Sequence, residues 1–112
     1  MPIGVLLEIS GCTREQYVAV ARDVGLLGPE ARTPPGMIFH TGEEMPGGWR
    51  VFDAWESAEA YETFARGWVA PACRRHGVPA FTPEVFPIDN LQLAEDRGAA
   101  QTGRIRPVTL EP

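Results

Sequence analysis

Two side chains in this sequence have the chemistry of a base and its orienting partner. His40 ends the apolar run Gly36 to Thr41 (GMIFHT), where an imidazole can take up or return a proton near neutral pH. Asp53 lies inside the apolar run Trp49 to Trp55 (WRVFDAW) and shares the parity of Trp49, Val51 and Trp55. A carboxylate among aromatic residues needs a partner, or its pKa rises. If the two runs are the arms of one hairpin, Asp53 can orient His40 and the pair can act as a proton acceptor. Register decides this, because a slip of one residue carries every side chain to the opposite face. In the alternative arrangement Asp53 pairs with Arg50 or Arg66, and His40 bonds a neighbouring carbonyl.

A second group is aromatic. Trp55, Tyr61, Phe64 and Trp68 are spaced to line the gap between a sheet and a helix, as the walls of a pocket for a flat apolar ligand or as plain core. Phe39, beside His40, and His76 join Trp55, Tyr61 and Trp68 as expected substrate contacts; the other role for His76 is a helix C-terminal residue favoured by the dipole. Cys73 can be a nucleophile only if its pKa is lowered, and is otherwise a buried inert thiol. Cys12 and Cys73 make no CxxC, and with His40 and His76 they give no metal-ligand spacing, so two free thiols and no metal are expected. The glycines match no phosphate-loop pattern.

The elements that must position these residues are legible from periodicity. Ile3 to Ile9 (IGVLLEI) reads as a buried strand. Thr13 and Gln16 form a capping box, and Tyr17, Val20, Ala21 and Val24 make one stripe of a helix that ends at Gly25. Leu26 to Pro35 is a loop, Gly36 to Thr41 a second strand, Gly42 to Gly48 a turn with Glu43 and Glu44 at its solvated tip, and Trp49 to Trp55 a third strand. Ser57 caps a second helix whose inner face is Tyr61, Phe64, Ala65, Trp68 and Ala72, with a break or kink expected near Ala70 because Pro71 cannot sit in a regular helix. A last strand lies within Thr82 to Leu93, at an edge because of Pro83 and Pro87.

The order β-α-β-β-α-β predicts an α+β, ferredoxin-like antiparallel sheet with both helices on one face. Both parities of the strands are apolar, so the uncovered face calls for a second subunit and the chain is expected to be a homodimer. Residues 1–93 form the domain; residues 94–112 lose apolar periodicity and are read as a tail, mobile or packed on the partner.

With 112 residues, 44% hydrophobic and 22% charged, the chain is one ordinary globular domain. Its net charge of -5 and its lack of lysine leave no basic stripe, which argues against nucleic acid as a partner. No segment approaches the roughly 18 apolar residues of a membrane span, and Met1 to Ile9 is not a signal peptide. A cytoplasmic protein is expected.

In the segments GMIFH, WRVFDAWES and AYETFA the chain resembles the dimeric α+β barrel superfamily, and within it the antibiotic-biosynthesis-monooxygenase-like domains. The D-x-W-E-S stretch (Asp53, Trp55, Glu56, Ser57) is its most recognisable part, and the likeness covers residues 1–93. The resemblance implies a homodimeric α+β barrel with one pocket per subunit. It points to a cofactor-free monooxygenase acting on an aromatic or polyketide-like substrate, or to a cyclase or isomerase using the same pocket. A non-catalytic ligand-binding or accessory protein is the third reading. Haem-degrading members carry an Asn on the first strand, where this chain has Leu6, Leu7 and Glu8. Tyr61 and His76 are the pair comparable with those of the related cyclases.

Overall fold

The computed structural model describes residues 1–94, so the tail expected at 94–112 lies almost wholly outside the described residues. Four strands, β1 (Ile3–Ser10), β2 (Met37–Met45), β3 (Gly48–Trp55) and β4 (Glu84–Pro87), pair antiparallel in the order β2-β3-β1-β4. Helix α1 (Arg14–Asp23) links β1 to β2. Between β3 and β4 run α2 (Ala58–Phe64), a π-helical turn (Ala65–Val69) and α3 (Ala70–Arg75). This is the expected ferredoxin-like α+β arrangement.

Each helix starts where its cap dictates. Thr13 Oγ1 accepts from the Gln16 N–H at 3.1 Å while Gln16 Oε1 accepts from the Thr13 N–H at 3.0 Å, completing the capping box. Ser57 Oγ caps α2 by accepting from the Ala60 N–H. The Gln16 side chain also donates to the Gly77 carbonyl at 3.0 Å, tying the start of α1 to the end of α3.

The core lies between the sheet and the helices. Ile3, Val5, Leu7 and Ile9 of β1 and Trp49, Val51, Asp53 and Trp55 of β3 alternate onto this face, as pairing of Val5 with Asp53 and of Leu7 with Val51 requires. The opposite face carries Leu6, Phe39, Phe52 and Phe86. Their rings form a row, with Phe52 5.6 Å from Phe39 and 6.1 Å from Phe86 between centroids.

One boundary differs from expectation. The hairpin is tighter: β2 extends to Met45, and the turn is Pro46-Gly47, where Gly47 takes the positive φ of 75° that the reversal needs. Glu43 and Glu44 are therefore strand residues, paired with Arg50 and Arg14, and not a free tip. The last strand takes four residues of the expected stretch, Glu84–Pro87, and lies at the sheet edge, where a proline that supplies no ladder donor is tolerated. The irregularity expected near Ala70 is a widened turn: the Ala70 N–H reaches back five residues to the Ala65 carbonyl, which accommodates a proline that would clash in a regular α-helix.

Because α1 carries the stripe that faces the sheet, its cap matters beyond the helix itself. Replacing Thr13 with Ala should cost about 1 kcal/mol, seen as a lower urea midpoint with an unchanged slope. An unaltered midpoint would show that tertiary packing alone holds this end.

Candidate active site

The hairpin register answers the question the sequence left open. His40 lies directly opposite Asp53, and both face the helices. A β-bulge makes this possible. Met37 pairs with Trp55, yet Phe39 pairs with Ala54, so one extra residue sits on β2. Strict alternation from Met37 would have set Phe39 opposite Asp53 and turned His40 outward. The bulge exchanges them, so Phe39 lies on the outer face against Phe52 and not among the cavity residues where it was expected.

Asp53 is 6% exposed. Its Oδ1 is 2.7 Å from His40 Nδ1, and its Oδ2 accepts from the Trp55 indole N–H at 3.4 Å. The alternative arginine partners are engaged elsewhere, Arg50 with Glu8 and Glu43 and Arg66 with Glu62. A carboxylate accepts hydrogen bonds, so Nδ1 of His40 carries the proton and, in the neutral ring, Nε2 is the acceptor. Nε2 lies 2.6 Å from the Tyr17 hydroxyl, which donates to it. The outcome is a continuous line of hydrogen bonds from Tyr17 through His40 to Asp53.

Tyr17 is the member of this line that sequence reasoning missed, since its position in the α1 stripe marked it as core. It lies nearly parallel to the imidazole, tilted by 8°, and stacks on Trp49 with centroids 4.6 Å apart. Gly42 makes room for it: a Cβ there would sit 2.7 Å from the Tyr17 hydroxyl. Gly42 is two residues beyond His40 on the same strand face, and that gap in an otherwise filled face was the available signal. The Trp49 Nε1 is buried without a partner among the described residues, a cost of roughly 1–3 kcal/mol that the stacked rings help to offset.

These groups open onto a cavity of about 530 Å³ between sheet and helices. Its walls are mostly apolar, with Leu7, Val20, Val51, Phe64, Val69 and Phe81 among them, together with Trp55 and Tyr61 as expected. Trp68 and His76 are not brought to it. The π turn adds a residue to one helical turn, so Val69 takes the inward place and Trp68 is left 60% exposed. His76 caps α3 and bonds Asp23 at 2.7 Å, the helix-end role. Cys12 and Cys73 are free thiols in the cavity wall. Burial pushes both up, with each other's proximity adding to it for Cys12, so Cys73 does not meet the condition for a nucleophile. Among the described residues no set of three His, Cys, Asp or Glu is grouped to hold a metal ion.

The ferredoxin-like sheet roofed by helices is shared with solved structures that include antibiotic-biosynthesis-monooxygenase-like proteins. SnoaB, a cofactor-independent oxygenase from Streptomyces nogalater, is 17% identical with a TM-score of 0.55, the match covering 84% of this chain and 97% of that one. A Chloroflexus aurantiacus protein classed with the antibiotic biosynthesis monooxygenases is 13% identical with a TM-score of 0.59, over 84% and 100% of the two chains. Rv0793 from Mycobacterium tuberculosis is 15% identical with a TM-score of 0.58, over 82% and 100%. No protein-family model and no curated protein matches the sequence. At these identities the likeness establishes the fold. Among the described residues no helix is long and apolar enough to cross a membrane.

Burial, and secondarily the charge of Asp53, pushes the Tyr17 phenol up to about 12. An unfolded tyrosine ionises near pH 10. Between roughly pH 10 and 12 the unfolded chain therefore binds fewer protons than the folded one, and stability must fall as pH rises. The part due to Tyr17 should reach about 2 kcal/mol near pH 11.5 and vanish in Tyr17→Phe, as read by chemical denaturation at about pH 9 and about pH 11.5. The chain has no lysine to titrate in this window. Equal pH dependence in the two proteins would contradict a buried phenol.

Proposed function

We propose that the protein is a cofactor-independent monooxygenase for a hydrophobic aromatic or polyketide-like substrate, with the Tyr17–His40–Asp53 line as its base. The observation that carries this reading is that line of hydrogen bonds, ending in an apolar, aromatic cavity. The oxygenase activity of a protein with the same fold supports it.

The chemistry follows from who can hold a proton. A substrate hydroxyl rests on the Tyr17 oxygen. As Tyr17 passes its proton to His40 Nε2, the substrate's proton replaces it, so Tyr17 relays charge without keeping it. Its raised pKa suits this role, because burial disfavours a standing tyrosinate. The imidazolium is held by Asp53, whose negative charge compensates it. The substrate anion, its charge spread to a ring carbon bearing hydrogen, reduces dioxygen and forms a carbon–oxygen bond. His40 returns its proton to the peroxide. Water then leaves as the carbon becomes a carbonyl, so one oxygen atom stays with the substrate and the other departs as water. Trp55 and Tyr61 pack against the rings, and the water-poor walls protect the anion from reprotonation.

Oxygen uptake with a panel of hydroxylated polycyclic aromatics tests this. His40→Ala and Asp53→Asn should each lower turnover by 10²-fold or more, and Tyr17→Phe by at least about tenfold. Full activity in the first two variants would remove the proposal. Turnover that consumes no oxygen would move the reading to cyclisation.

We also propose that the enzyme works in the cytoplasm, where its two thiols stay reduced, as a homodimer closed over the outer sheet face. The aromatic row there supports the dimer: Phe86 is 38% exposed, and Leu6 and Phe52 are half-buried beside it. Phe52→Glu should give a monomer in light scattering where the parent chain gives a dimer, while far-UV circular dichroism is unchanged. A parent chain already monomeric would end this part of the reading.

A further inference from the structure

The cavity's polarity is divided. At the sheet lie Tyr17, His40 and Asp53, and Asp53 is the one acidic side chain among the lining residues. Its carboxylate is already committed to His40 and Trp55. Among the lining residues Arg66, Arg74 and Ala80 are the exposed ones, on the π turn, α3 and the loop after it, and so mark where the cavity meets solvent. Both charged groups at that opening are cations, on a chain whose net charge is -5.

The arginines near the cavity are not equivalent. Arg14 stands 5.5 Å over the Trp49 ring and pairs with Glu44. Arg66 pairs with Glu62 at 3.2 Å, and Arg75 pairs with Asp23. Arg74 makes no side-chain hydrogen bond or ion pair with any described residue, yet its charge reaches the cavity wall, where it offsets part of the effect of burial on Cys73. A guanidinium presents a planar fork of donors that fits a carboxylate with two parallel bonds. An apolar cavity with that fork at its rim and a proton acceptor at its base fits a ligand with an acid at one end and a hydroxylated ring at the other.

We propose that the cavity selects aromatic substrates bearing a carboxylate, the acid seated on Arg74 at the mouth and the ring hydroxyl reaching Tyr17 at the sheet. This rests on the reading of the cavity as the substrate site and adds the class of molecule it takes. Arg74 sets specificity and takes no part in the proton transfer. Arg66, held by Glu62, contributes less.

Calorimetric titration of the full chain with 2-naphthoate and with the neutral, similarly shaped 2-naphthamide tests it without requiring turnover. At low salt the acid should bind about tenfold more tightly. Arg74→Gln should level the two affinities by weakening the acid alone, and Arg74→Lys should keep part of the preference. Equal binding to the parent chain, a preference that survives in Arg74→Gln, or failure of both probes to bind would each overturn the proposal. A preference for the acid without oxygen uptake by any hydroxylated aromatic would remove the monooxygenase reading and leave the acid site standing. Oxygen uptake without that preference would do the reverse.

Discussion

A carboxylate buried in the middle of a sheet sets the terms for its surroundings. Asp53 lies among Val5, Val51 and the tryptophans, where a carboxylate needs hydrogen-bond donors to replace the water it has lost. The neighbouring strand must therefore present a donor, and it presents His40. For His40 to face inward the strand needs its bulge, and once the imidazole is fixed by one nitrogen the other faces the helices and wants a donor in turn. Tyr17 supplies it, over a glycine that leaves its ring space. Bulge, glycine, capped helix and hairpin register are separate local features, and each serves the same buried charge.

Much of the architecture was legible because its signals are local. Thr13 with Gln16 and Ser57 carry their capping role in two or three residues, and the apolar runs of β1 and β3 reveal their length without tertiary information. His40 and Asp53 were legible as types, but their pairing rests on a register that no single strand encodes. Phe39 and Trp68 were misplaced for one shared reason. In each case an extra residue, in a bulge or in a π turn, shifts the period from which facing is inferred. Tyr17 was hidden differently: a core residue and one whose hydroxyl joins a hydrogen-bonded line look identical until the atom facing the hydroxyl is known.

The helical roof shows how one residue type can shape a cavity without touching its contents. Pro71 forbids a regular turn, the chain has a wider one ahead of it, and Val69 replaces Trp68 as the inward residue. The fold persists in proteins only 13 to 17% identical, so the topology tolerates wide change in sequence. What individualises this chain is the small set of irregularities laid over that topology.

The displacement of Trp68 has an optical consequence. Two of the indoles, Trp49 and Trp55, are sealed beside the hydrogen-bonded line, while the third stands in water. The molecule thus holds a blue-emitting pair that reports on the interior and a red-emitting ring that an aqueous quencher can silence first, an internal colour contrast between occupied cavity and unaltered surface.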